Sequence, residues 1–384
     1  MRNRILLLLC GITFGISAHA DLPLRGFSDM SYIYDSNASN NSFQIHDVDF
    51  FISGSVDKKV SYVAEVNFQP TFEGVSTDIE RSYIQYEINP WFKIAIGRFH
   101  TALGYWNDTY HHGSYLYTSV TRPLMERFED SGGLLPVHNT GIEIRGKGAF
   151  HDGNIGYIFN IGNGRGPVKD PSTFFNSYSK SKSISASVFY EMDSGLRVGV
   201  NAWRSELPGG ALMAADSTPA TYTDSNGNTV QVTGPKGSEY IYGAHMVYNT
   251  PEIEWLTEYD LMLHHYYIGS SNADGSKDTT INLLYSQFGY HVNSVLTPFV
   301  RYEIDATSTA DAYLNASPGY KATGLSGTLR QYIAGARYEL SASSALKLEV
   351  TYLNSNAPLF ITNSPNPTSN KTDWQSNLNW SFAW

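Results

Sequence analysis

Trp374-Gln375-Ser376-Asn377-Leu378-Asn379-Trp380-Ser381-Phe382-Ala383-Trp384 closes the sequence, and its reading decides the fold. Alternate positions are bulky, with Trp374, Leu378, Trp380, Phe382 and Trp384 in one set and Ser376 as its small member. The residues between them are Gln375, Asn377, Asn379, Ser381 and Ala383. A period of two puts the sets on opposite faces of a β-strand. A soluble sheet buries one face but seldom needs three tryptophans on one strand. A strand between lipid and water does want that arrangement, with Trp at the interfaces. The pattern predicts Trp374, Trp380, Phe382 and Trp384 toward lipid, and Gln375, Asn377 and Asn379 toward an aqueous interior. A slip of one residue would reverse every side chain.

The other end agrees. Met1-Arg2-Asn3-Arg4 is basic, Ile5 to Ile16 is apolar, and Ala18-His19-Ala20 precedes Asp21. That is the pattern of a cleavable secretory signal peptide, so residues 1–20 are expected to be a leader and 21–384 a single barrel domain. Cys10, the sole cysteine, sits within the apolar run and lacks the preceding small residues of a lipoprotein signal. From Asp21 onward no disulfide framework or thiolate metal site can form.

Composition narrows the class. Aromatic residues make up 14% of the chain, and charged residues only 16%, below the ~25% of soluble domains. Past the leader, no segment approaches the ~18 consecutive apolar residues of a membrane helix. Such a chain can meet lipid only if each segment is half polar, as in a closed barrel. The net charge of −10 argues against a nucleic-acid partner.

Reading for alternation gives sixteen segments: 26–34, 42–53, 59–69, 78–88, 91–99, 138–147, 154–162, 182–191, 195–204, 238–249, 252–264, 279–291, 295–305, 328–340, 345–354 and 373–384. In 295–305, Leu296, Val300, Tyr302 and Ile304 oppose Thr297, Arg301, Glu303 and Asp305. Short turns such as Asn89-Pro90, Met192-Asp193-Ser194 and Asn249-Thr250-Pro251 alternate with long polar stretches at 100–137, 163–181, 205–237, 265–278, 306–327 and 355–372. A soluble domain with so many long loops would be suspect, whereas an outer-membrane barrel has short turns at one rim and long loops at the other. The fold expected is an all-β transmembrane antiparallel barrel of sixteen strands, with fourteen or eighteen left open by the weaker alternation at 26–34 and 279–291.

The segment Ile96-Gly97-Arg98-Phe99-His100-Thr101-Ala102-Leu103-Gly104-Tyr105-Trp106, with Thr121-Arg122-Pro123, Gly132-Gly133-Leu134-Leu135-Pro136-Val137-His138 and Gly141-Ile142-Glu143-Ile144-Arg145-Gly146, resembles the bacterial outer-membrane porin superfamily. The nearest branch is the phosphate-selective and related substrate-specific porins. In those proteins a strand ending in Gly-Arg or Gly-Gln leads into a long loop folded into the pore. The resemblance implies a homotrimeric channel for small hydrophilic solutes.

Two constellations could carry function. The first is the third loop, 100–137, in which Arg122, Glu126, Arg127, Glu129 and Asp130 lie beside Gly132-Gly133. The inward face of the preceding strand reads Lys93, Ala95 and Gly97, and its small residues Ala95 and Gly97 leave room for a loop inside the barrel. Folded inward, it would bring Arg122 and Arg127 to a constriction opposite acids, the device by which pores sort charge. A solvated surface loop is the plainer reading, and the preceding strand and the resemblance favour the pore lining. The second is the lumen wall. Its inward acids are Asp47, Asp49, Glu65, Glu87, Glu143, Glu254, Glu258, Asp260, Glu303, Asp305, Glu339 and Glu349, and its inward bases are Arg81, Lys93, Arg145, Lys147, Arg197, Arg301, Arg337 and Lys347. Twelve acids against eight bases form no anion ladder, which would need rows of Arg and Lys. Many of these charges would simply pair across strands.

His111-His112 and His264-His265 invite a metal reading, but neighbours on a strand face opposite sides and no carboxylate or thiol stands at ligand spacing. They read as loop or interfacial histidines. Asp274-Gly275 lacks the alternating oxygens of a calcium loop. Gly162-Asn163-Gly164-Arg165-Gly166 lacks the following helix of a phosphate cradle and reads as a loop tip. No metal or cofactor is expected.

The function expected is passive diffusion of small hydrophilic solutes or ions across a bacterial outer membrane, through a mixed-charge lumen with mild cation preference. The rivals are a barrel enzyme of phospholipase or protease type, a substrate-specific phosphate porin, and an adhesin or anchor with a plugged lumen. Ser114 near His111 and His112 is a local nucleophile-and-base pairing, of a kind that serines and histidines in loops also make by chance. Outer-membrane lipids and further copies of the chain are the expected partners.

Overall fold

The computed structural model describes residues 24–36, 41–71, 74–110, 113–127, 133–165, 181–208, 221–223, 229–231, 236–267, 276–307, 311, 327–356 and 372–384. The expected leader lies outside them. Sixteen strands form a closed antiparallel barrel. They are β1 (Arg25–Asp35), β2 (Ser42–Ser55), β3 (Val60–Thr71), β4 (Gly74–Asn89), β5 (Phe92–His100), β6 (His138–Phe150), β7 (Gly153–Gly162), β8 (Ser183–Met192), β9 (Leu196–Pro208), β12 (Lys236–Asn249), β13 (Ile253–Tyr267), β14 (Ser276–Tyr290), β15 (Leu296–Thr307), β16 (Gly327–Ser341), β17 (Ser344–Ser355) and β18 (Thr372–Ala383). Each matches an expected segment, most running a few residues longer at one end. The long stretch 205–237 also holds a small hairpin, β10 (Thr221–Thr223) with β11 (Thr229–Gln231), which alternation over so few residues does not reveal. No described helix is long and apolar enough to cross a membrane.

Closure follows from backbone chemistry. In hydrocarbon every N–H and C=O needs an internal partner, and an open sheet edge would leave a row of them bare. Here β1 pairs with β18 along Met30↔Trp380, Tyr32↔Leu378 and Tyr34↔Ser376, which removes both edges. On the inner side of that seam, the Asn379 amide donates to Asp29 (2.6 Å) and Ser31 (2.9 Å).

The alternation sorts as expected. Trp380 is 52% exposed on the outer wall, while its neighbour Asn379 is wholly enclosed. Outward aromatics gather near both rims. Near the long-loop rim Tyr302, Tyr332, Tyr352 and Trp374 form a row across β15 to β18, with ring centroids 5.2, 6.3 and 4.7 Å apart. Near the short-turn rim Trp380, Phe382 and Trp384 follow one another along and just past β18 at 6.5 and 5.9 Å, and Trp384 meets Phe50 of β2 at 5.9 Å. Two such girdles are what a bilayer-spanning barrel presents. The regular period breaks in β4, where Glu80 is an extra residue between the pairs Glu65↔Arg81 and Val66↔Ile79. Glu80 is buried, 2.9 Å from His138 on β6.

The outer wall yields a direct check. Val350 points outward midway along β17, so Val350→Lys should cost about 2–4 kcal/mol in denaturant unfolding from lipid vesicles. Unchanged stability would place that face away from hydrocarbon.

Candidate functional site

The connection between β5 and β6, loop 3, crosses the lumen. It holds a short helix α1 (Trp106–Tyr110) and two single turns of 3-10 helix at Ser114–Leu116 and Leu124–Glu126. Its backbone is bound by inward side chains of strands on the far side of the ring. The Tyr105 and Trp106 amides donate to Glu258 on β13 (2.6 and 2.8 Å), which also accepts from the Tyr285 hydroxyl on β14 (2.5 Å). The Leu124 amide donates to Glu303 on β15 (2.5 Å). The Val120 and Thr121 amides donate to Glu349 on β17 (2.9 and 3.2 Å), and Glu254 accepts from the Thr118 hydroxyl (2.8 Å).

Cations hold the carbonyls in the same way. Arg301 donates to Thr121 O (2.8 Å) and to Glu303 (2.7 Å), and Arg337 to Tyr115 O and Tyr117 O (2.5 and 2.9 Å). Lys347, wholly enclosed, donates to the carbonyls of Ser114, Tyr117 (2.7 Å) and Ser119 (2.9 Å), which uses its three N–H bonds. The Tyr115 hydroxyl reaches Ala342 O in the β16–β17 turn (2.6 Å), so the loop descends to the short-turn rim. These are hydrogen bonds to charged groups inside an enclosed space, the strong kind.

Apolar packing reinforces one side. Leu103, Trp106, Tyr117, Met125, Leu134 and Leu135 of the loop form one buried cluster with Trp203, Ile241, Leu256, Met262, Ile281 and Leu283 of β9 and β12 to β14. Burial by these neighbours raises the phenol pKa of Tyr105, Tyr110 and Tyr117, so these loop residues add no charge. At the base of the loop, the Asn107 amide donates to Thr101 O (3.3 Å) and Val137 O (3.0 Å), clasping the two limbs.

The remaining wall residues pair locally. Arg81 meets Glu65 (2.5 Å), Lys93 meets Glu87 (2.9 Å), and Arg145 meets both Glu143 (2.6 Å) and Asp108 of α1 (3.1 Å). Arg197 meets Glu191 (3.0 Å) and lies over the rings of Phe189 and Tyr105. Asp260 accepts from Asn201 (2.9 Å). Within loop 3, Arg122 donates to Glu126 O (2.8 Å) and lies within electrostatic reach of Asp47 and Glu80. Glu126 is wholly enclosed, and Arg127 is half-buried, in reach of Asp305. Glu129, Asp130 and Gly132 lie outside the described residues, as do His111, His112, Asp274 and Gly275.

Three readings change. Gly97 is needed for its backbone: its φ is 142°, and a Cβ there would stand 2.1 Å from Ser82 O, so making room for the loop is not its main role. His264 is enclosed between two carboxylates and is no interfacial residue, whereas His265 is partly exposed beside Asp278. Arg165 is buried against Glu239 and is not a free loop tip. Glu239, four residues into β12, received no role from alternation, although Tyr240 and Tyr242 flanking it outward would have marked it as inward. Lys347, Glu254 and Glu349 were placed on the inward face, but nothing in their own strands says that a distant loop is their partner.

No family model matches the chain, and no curated protein matches it by sequence. Solved structures do match in shape. An anion-selective porin from Comamonas acidovorans has a TM-score of 0.63 at 11% identity, over 94% of this chain and 99% of that one. The outer-membrane channel DcaP of Acinetobacter baumannii gives 0.56 at 12%, over 94% and 97%. A trimer form of OmpT, an outer-membrane protein of Vibrio cholerae, gives 0.56 at 9%, over 94% and 99%. The chain therefore has the sixteen-stranded barrel fold of the outer-membrane porins.

The anchoring predicts that Lys347→Met takes this donor from the carbonyls of Ser114 and Ser119 and leaves Tyr117 O to Arg337 alone. A loss of about 3 kcal/mol is expected, with loop 3 open to protease while the barrel keeps its folded electrophoretic mobility. A loop as protected as in the wild type would mean that Lys347 does not hold it.

Proposed function

We propose that this chain is an outer-membrane porin: a water-filled passage for small hydrophilic solutes or ions, narrowed by loop 3. The observation that carries the reading is the fastening of loop 3 to inward side chains of β13 to β17, opposite the strands that bear Arg81, Lys93 and Arg145. A loop fastened mainly to β13 to β17, with Asp108 also meeting Arg145 on β6, narrows a lumen and needs no nucleophile to work. The pairing of Arg81, Arg145 and Arg197 with acids supports a mixed-charge pore over a phosphate ladder. Loop anchoring engages Glu254, Glu258, Glu303 and Glu349 among the wall acids, and Arg301, Arg337 and Lys347 among the bases. Acids still outnumber bases in what remains, which supports a mild cation preference. The reading includes an exported protein whose copies associate as a trimer among outer-membrane lipids.

The test is purified protein in a planar bilayer. Stepwise conductance should appear, with a reversal potential in a salt gradient that favours cations. Arg127→Ala removes a fixed positive charge beside the constriction, where low-dielectric walls focus the field. It should raise conductance and shift the reversal potential further toward cations, most clearly at low salt. Silence in the bilayer, or hydrolysis of lipid or peptide by the purified barrel, would overturn the pore reading.

A further inference from the structure

One enclosed charged cluster takes no direct part in the passage described above. Glu239 on β12 is wholly buried and accepts from three side chains. Arg165 Nε lies 3.0 and 2.7 Å from its two oxygens, Trp203 Nε1 2.7 Å from Oε1, and His264 Nε2 2.8 Å from Oε2. The other ring nitrogen of His264, Nδ1, lies 2.8 Å from Asp311 Oδ2. The same Arg165 donates through Nη2 to the carbonyl of Leu134, on the returning limb of loop 3. A continuous series of contacts therefore runs from Asp311 through His264, Glu239 and Arg165 to the loop.

The geometry constrains the protonation of His264. A neutral imidazole has one N–H, so it can satisfy one carboxylate and must turn a lone pair toward the other. With both acids ionised and a carboxylate oxygen 2.8 Å from each ring nitrogen, both bonds form only if the ring carries two protons. Among the described residues, Arg165 and the imidazolium then balance Glu239 and Asp311. The described charged groups facing the ring are Glu239, its strand partner on β12, and Asp311; Thr279, its partner on β14, is neutral. Around them Leu207, Ile241 and Met262 are buried. Removing one charge from so enclosed a set leaves another uncompensated, which is strongly unfavourable.

We infer that Glu239 is a positioning residue for the constriction, and that the proton on His264 keeps it tight. This rests on the reading of loop 3 as the constriction. While the ring is doubly protonated, Glu239 holds Arg165, and Arg165 holds the loop limb at Leu134. When pH rises and the ring loses a proton, a carboxylate faces a lone pair, the cluster loosens, and the loop limb gains freedom. The conduction path is then regulated from its long-loop side by alkaline pH.

The experiment is single-channel recording of the full barrel between about pH 6 and about pH 10, a window spanning loss of an imidazolium proton. Wild type, His264→Gln, Asp311→Asn and Glu239→Gln are compared, each first checked for folded electrophoretic mobility. Wild-type current should be quiet at the acid end and show a several-fold rise in open-channel noise at the alkaline end. His264→Gln should be noisy throughout, with no alkaline step. Asp311→Asn, which asks only one N–H of the ring, should lose the step while remaining quieter than His264→Gln. Glu239→Gln should be noisy at every pH. A wild-type trace that does not change with pH, or an alkaline step surviving in His264→Gln, would overturn the inference while leaving the pore reading intact. Wild type that conducts at no pH would overturn the pore reading instead.

Discussion

Every feature of this chain depends on one constraint: a backbone polar group without water must find its partner within the protein. In hydrocarbon, that constraint closes sixteen strands on themselves and leaves no edge. Closure creates an interior, and loop 3 enters it with its own unpaired amides and carbonyls. The inner wall meets them with charges, carboxylates of Glu258, Glu303 and Glu349 for the amides and cations of Arg301, Arg337 and Lys347 for the carbonyls. The solution inside the barrel is the same as in the membrane, with side chains in place of a neighbouring strand.

This mode of anchoring has a consequence for specificity. Because the wall grips backbone, the loop's half-buried side chain at Arg127 can change without unseating it. Positions such as Lys347 and Glu349 are the opposite case, since each serves several loop groups at once. Substitution at the anchors should therefore move stability and loop order, and, on the porin reading proposed above, substitution on the loop should move selectivity.

The barrel was legible in the sequence because its period is two and its two solvents differ. Residues 345–354 and 373–384 separate apolar from polar without ambiguity, and the alternation of short turns with long connections fixes which rim is which. Bulges escaped, since one inserted residue such as Glu80 looks like ordinary strand. The site was legible by half. The alternation put Glu258, Arg301, Glu303 and Arg337 inside, but their partners lie about 150 to 220 residues away in sequence, and no local pattern records such a contact. Arg165 was misread because a glycine-flanked arginine looks like a solvated tip until Glu239 is seen beside it.

The central claim is that loop 3 is fastened against the far wall, and cross-linking reads it directly. Leu124 of the loop packs in one small cluster with Leu329 of β16 and Leu353 of β17. The chain's one cysteine, Cys10, lies far from this cluster in sequence. Leu124→Cys combined with Leu353→Cys, in the barrel folded in lipid and treated with a mild oxidant, should form a disulfide in nearly all molecules and leave conductance close to that of the reduced form. A pair that stays reduced, while a control pair on adjacent strands oxidises, would show that the loop does not lie where this account places it.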